Sequence, residues 1–215
     1  MAKRIFVYLA GMIILSFGIV LNTKVELGVS PVITVSYTIS KIWSLDFSFI
    51  TFLLYSLFCM VEVIIRGFQN RWKEVPLILL QLPLSFVFTR AMYLYDRWIP
   101  AASLYAGTFY GTVFFRTVIL FVAILCMGIG VVLTVEPHLV PNPTDGMTDV
   151  IADAVGMNMG TIKNILDITC VGTACLICVL CHHRITGVGI GTILSMLLIG
   201  RVVAFTNQYV KARLV

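Results

Sequence analysis

The chain has 215 residues, 60% of them hydrophobic and 12% charged, with a formal net charge of +5 and a mean hydropathy of +1.02. A water-soluble domain carries about 25% charged residues, so this composition excludes a soluble globule. Runs of about 18 or more apolar residues point instead to a helical integral membrane protein, and the roughly ten-residue alternation of an outer-membrane barrel is missing.

The first apolar run follows Met1-Ala2-Lys3-Arg4 and continues to Leu21 without a small-residue cleavage site, so it reads as an uncleaved span and not as a signal peptide. Six long runs follow one another at residues 5–22, 48–65, 75–95, 114–134, 161–180 and 188–205. Each is long enough to cross about 30 Å of hydrocarbon at about 1.5 Å per residue. Two shorter segments, 32–43 and 144–155, reach only about 18 Å. They follow the first and fourth long runs and stand just after Pro31 and Pro143, a residue suited to the first turn of a helix.

The order long, short, long, long therefore occurs twice. A shift of 112 residues lays Gly18 on Gly130, Leu21 on Leu133, Leu27 on Leu139, Pro31 on Pro143 and Ile39 on Ile151 without a gap. The expected organisation is a first repeat over residues 1–112 and a second over 113–215, together one membrane domain. If the short pieces enter and leave on one side, each half crosses an odd number of times and the halves are inverted. Charge favours that arrangement. It places Lys3, Arg4, Arg66, Arg71, Lys73, Lys211 and Arg213 in the cytoplasm, with Lys24, Arg97 and Arg184 outside.

The polar residues within this frame carry the chemistry. Asp145, Asp149 and Asp153 stand four apart, on one face of a helix over 144–155. Three carboxylates facing lipid would cost about 9 kcal/mol. The segment is therefore either an amphipathic surface helix or a half-helix lining a wet cavity. Lys163 and Asp167, also four apart, are placed to pair, with Asn164 beside them. In the first half, Asn22, Thr23, Lys24 and Glu26 read as interfacial loop, with Gly28 suited to a chain reversal. Glu62 and Arg66 read as a helix end reaching into water; Gln81, Pro83 and Arg90 share the third run, and Arg201 lies in the last.

The six cysteines all lie in apolar runs, so a disulfide framework is not expected. Cys178-Val179-Leu180-Cys181-His182 matches the c-type haem attachment pattern. Its cysteines continue an apolar stripe from Cys175, however, and small packing residues are the expected role, ahead of haem or a zinc site with His182 and His183. The glycines of 187–200 suit close helix approach. No catalytic or phosphate-binding motif is present, so neither an enzyme nor a cofactor is expected.

The stretches GIVLNTKVELGVSP, PTDGMTDVIADAVGMNMGTIKNILD and GVGIGTILSMLLIG resemble the bacterial YczE/YyaS/YitT-type membrane proteins, nearest to the YczE group, over nearly the whole chain. The middle stretch carries most of the likeness: Asp145-Gly146 before a helix, then Gly160, then Lys163 and Asp167. The pattern departs after Pro31, where the family often has an aromatic and an acid and this chain has Val32 and Ile33. The resemblance implies a polytopic inner-membrane protein and brings no substrate.

The expected molecule is all-α and polytopic, with about six transmembrane helices plus two short half-helices in two inverted repeats. The expected function is a small-solute transporter of the bacterial cytoplasmic membrane, with both termini in the cytoplasm. Asp145, Asp149, Lys163, Asn164 and Asp167 would line a polar cavity coupled to a cation or proton. Its partners would be membrane lipid, a small molecule or ion and a second copy of itself, not nucleic acid. The rival readings are the substrate-binding subunit of an energy-coupled vitamin transporter and a non-transporting scaffold or regulator.

Overall fold

The computed structural model describes residues 2–182 and 184–214. Among them the regular structure is helical: α1 Ala2–Lys24, α2 Thr34–Trp43, α3 Phe47–Phe68, α4 Val75–Leu79, α5 Gln81–Trp98, α6 Val113–Val135, α7 Pro143–Val155, α8 Met159–Leu180 and α9 Ile190–Leu214. Six segments of the described residues are long and apolar enough to cross a membrane. The chain is a multi-pass membrane protein, and the side chains of Lys211 and Arg213 lie outside the described residues.

Local chemistry sets the helix boundaries. The Asp46 carboxylate accepts the Phe49 N–H at 2.7 Å and starts α3, and Asn158 accepts the Gly160 N–H at 2.8 Å at the head of α8. α7 stops at Gly156, whose φ of 71° lies in the left-handed region that favours glycine. The third span differs from the single run expected at 75–95: it is broken at Leu80 into α4 and α5. Pro83, in the first turn of α5, has no N–H to offer the carbonyl of Leu79, which prevents one continuous helix.

The centre of the molecule is the α1–α6 seam. Gly11 faces Leu133, Leu15 faces Gly130 and Gly18 faces Met127, so the two helices run antiparallel. The contact is close. A Cβ on Gly18 would stand 2.8 Å from the Met127 nitrogen, and one on Gly130 would stand 2.7 Å from the Leu15 Cα. Around the seam Leu15, Ile19, Val20, Leu120, Ile124 and Met127 are buried.

Outside this core, α5 lies on α1 and α3, and α9 lies on α6. The short helices α2 and α7 each touch both α3 and α8. Along α3, Phe49, Leu53, Leu57, Met60, Ile64 and Phe68 form an exposed apolar stripe at helical spacing, the surface a lipid environment covers.

Candidate functional site

Where α7 meets α3 and α5, the bundle holds charge. Glu62 and Gln81 are each 1% exposed and Arg66 is 4% exposed. Gln81 Nε2 donates to Glu62 Oε2 at 2.9 Å, and Cys59 Sγ donates to Gln81 Oε1 at 3.4 Å. Glu62 Oε1 is buried with no hydrogen-bond partner among the described residues. The α7 backbone closes over this carboxylate at Gly146, where a Cβ would stand 2.7 Å from Oε2 and 2.9 Å from Oε1. Glycine is thus the residue that lets α7 lie against Glu62. The direct hydrogen bond to this carboxylate comes from a neutral amide, and the nearest cation acting on it, Arg66, stands one turn away along α3 and makes its own ion pairs with other carboxylates.

One turn along α3, Arg66 gathers three carboxylates. Its Nε stands 2.9 Å from Glu74 Oε2, its Nη2 stands 3.7 Å from Asp149, and its Nη1 donates to Asp153. Arg66 Nη1 also donates to Gln69 Oε1 at 2.8 Å. Arg71 binds both Asp153 and Glu74. The hydrogen bond from Arg66, helped by the charges of Arg66 and Arg71, holds the Asp153 carboxyl below the ordinary aspartate range. The expectation that Glu62 and Arg66 form a helix end in water is corrected: both are buried, and each has other partners.

On the other side of Gln81 a cavity of about 20 Å³ is lined by Tyr8, Met12, Tyr55, Ser85 and Asn142. Ser85 Oγ and Asn142 Oδ1 are buried there without hydrogen-bond partners among the described residues. A space of that size has room for about one water.

The three aspartates of α7 do not act as one face. Successive residues four apart drift by about 40° around a helix, so Asp145 and Asp153 are about 80° apart. Because α7 is wedged between α3 and α8, Asp149 and Asp153 meet Arg66, while Asp145 meets Lys163 at 3.6 Å. The close ion pair of Lys163 is thus made between helices, with Asp145, while its charge still acts on Asp167 one turn along α8. Asp167, 8% exposed, sits one turn further along α8 and makes no ion pair among the described residues. Asn164 is on the exposed face of α8 and is not brought to the others.

At the opposite end, Asn22 is buried, accepting the Ser30 N–H at 2.8 Å and donating to Ser195 at 3.5 Å. It is an internal tie, not interfacial loop. Gly28 turns the chain with φ 115° directly against Gly189. Lys24 pairs with Asp96 at 3.0 Å. Arg90 lies over the Phe86 ring at 4.9 Å, and Arg201 is exposed. Cys178 is buried beside Thr186, and His183 lies outside the described residues.

Sequence reasoning undervalued Glu62 and passed over the bond from Gln81. The available signal was a lone glutamate and a lone glutamine inside apolar runs, each needing a partner. Comparison with protein-family models gives a match over residues 2–208, to a family of unknown function, DUF6198. No curated protein and no solved structure matches the chain.

Proposed function

Since the chain belongs to the DUF6198 family, whose function is unknown, we propose from its geometry that it is a small-solute carrier of the bacterial cytoplasmic membrane. Two inverted halves would couple a proton or small cation to the solute through Glu62. The kinship with YczE/YyaS/YitT-type proteins is retained as part of this proposal.

The antiparallel α1–α6 seam supports inversion. Leu15 facing Gly130 and Gly18 facing Met127 are one contact repeated, since Met127 and Gly130 stand 112 residues after Leu15 and Gly18. Exchange of the short helices supports it too: α7 of the second half lies on α3 of the first, and α2 of the first lies on α8 of the second.

Depth supports a re-entrant α7. Its last turns meet Arg66, but Asn142 and Pro143 at its head line the same cavity as Tyr55. Tyr55 is about 16 Å further along α3, roughly half the hydrocarbon thickness. Discontinuous helices that start near the membrane midplane are where carriers of this kind hold their solutes and ions. The Arg66–Asp149–Asp153 cluster then stands at the cytoplasmic mouth with Arg71 and Glu74. Asp145, Lys163 and Asp167 would line the α8 side of the same passage.

The observation that carries the reading is Glu62, buried against neutral Gln81 beneath Gly146. Protonated, it suits the closed contact with α7; ionised, it favours an α7 that has moved and let water in. The test is a thermal-stability screen of detergent-purified protein against amino acids, vitamins, organic acids and cations at mildly acidic and mildly alkaline pH. A stabilising compound whose effect depends on pH in the wild type, and no longer does in Glu62→Gln, is the expected result. An unchanged pH dependence in that variant would remove Glu62 from the coupling role. A screen without any stabilising compound would favour a scaffold over a carrier.

A further inference from the structure

We propose that a second site, at the other end of the bundle, binds the acidic head of an amphiphile through Arg116. The ends of α1 and α5, the following connection and the start of α6 line an open pocket of about 310 Å³, within the range of small-molecule sites. Its walls include Leu21, Ile99, Tyr105, Tyr110 and Ile119, with Lys24 and Arg116 as its cations.

The two cations differ in what is left of their charge. Lys24 is neutralised by Asp96 at 3.0 Å. Arg116 is fixed by Nε to the Val25 carbonyl and by Nη2 to the Glu26 carbonyl, both at 2.8 Å. These are dipoles, not charges, and no carboxylate among the described residues pairs with it. The Glu26 carboxylate is turned onto Ser103, accepting from its N–H at 3.0 Å and its hydroxyl at 3.1 Å. A half-buried guanidinium is thereby oriented into an apolar, tyrosine-walled space with its charge unmatched.

The complementary ligand has one carboxylate or phosphate for Arg116 and an apolar body for the walls. Such chemistry comes either from an anionic phospholipid or from a water-soluble aromatic acid.

The experiment measures thermal unfolding of the full chain in detergent with phosphatidylglycerol, with phosphatidylcholine and with phenylpropionate. Wild type is compared with Arg116→Gln and Ile119→Trp; the second fills the cavity and leaves the cation in place. Phosphatidylglycerol raising Tm by about 3 °C or more over phosphatidylcholine, with the gain lost in Ile119→Trp, supports the site with lipid as the source. The same gain and loss with phenylpropionate supports it with a soluble acid. If Arg116→Gln does not fold, because the Val25 and Glu26 carbonyls lose their donor, Ile119→Trp decides alone. No stabilisation by either acid, or stabilisation that survives in Ile119→Trp, overturns the proposal.

Discussion

Gly146 and Glu62 show how one missing methyl group sets the character of a site. A Cβ at 146 would stand 2.7 Å from a carboxylate oxygen, and the same carboxylate is already tied to Gln81. Gly146→Ala should therefore lower stability by about 1–3 kcal/mol through overpacking, read as thermal unfolding in detergent. Glu62→Ala makes room, so the double variant should recover part of that loss. Strictly additive losses would mean the two residues do not touch. Asp153 makes a prediction in pH. Its carboxyl is held low chiefly by the hydrogen bond from Arg66. A depressed folded-state value contributes stability above the unfolded value, about 3.9, and loses it as pH falls through the lower folded value. The stability gap between wild type and Asp153→Asn should hold steady from pH 8 to about 5 and close only in stronger acid. A gap that closes near neutrality would show that the Arg66 contact is not formed. At this scale spacing found the charged residues but not the closest partner of each. Lys163 and Asp167 do lie four apart, yet a carboxylate from the neighbouring helix takes the lysine. Spacing along one helix carries no information about what another helix delivers.

The short helix α7 is the element on which the functional reading turns. Its existence and its proline start were legible, because Pro143 and the acidic stretch interrupt long apolar runs. That it divides its carboxylates between α3 and α8 was not legible, since the 40° drift becomes consequential only once both neighbours are known. If α7 rises from the cytoplasmic mouth and begins near the midplane, Asn142 and Gly156 open to the same side at different depths. In a background with the six native cysteines replaced, Asn142→Cys and Gly156→Cys should both react with a membrane-impermeant thiol reagent applied from the cytoplasmic face. Gly156→Cys, on an exposed turn, should react faster, and Asn142→Cys should be slowed by the burial of its Oδ1 environment. Reaction of the two from opposite faces would make α7 a full crossing and end the inverted reading. α4 and α5 give the contrasting case: the sequence shows Pro83 within one apolar run, but its missing N–H to the Leu79 carbonyl breaks the helix inside that span.

Across the whole molecule the proposed repeat separates what the two halves would share from what only one of them has. Both carry the short helix laid on a long helix of the other half, but the positions equivalent to Glu62 and Arg66 are Ala174 and Cys178, both fully buried and uncharged. If the frame is duplicated, the buried Glu62–Arg66 charge belongs to one half alone, and symmetry by itself would not locate it. What the proposed halves share is the α1–α6 seam, whose glycines the shift of 112 residues pairs as Gly18 and Gly130. Each presses against the backbone of the opposite helix. An exposed helical Gly→Ala exchange normally stabilises by up to about 1 kcal/mol. Gly172 and Gly200, where an added Cβ meets nothing within 4 Å, should behave that way or be neutral. Gly18→Ala and Gly130→Ala should instead destabilise, each by about 1–3 kcal/mol, and by similar amounts because they are the same contact seen from each side. Thermal unfolding of the four single variants in one detergent makes the comparison. If Gly18→Ala or Gly130→Ala proves as stable as Gly172→Ala, the helices do not approach as closely as this seam requires, and the proposed two-fold relation between the halves loses its main support.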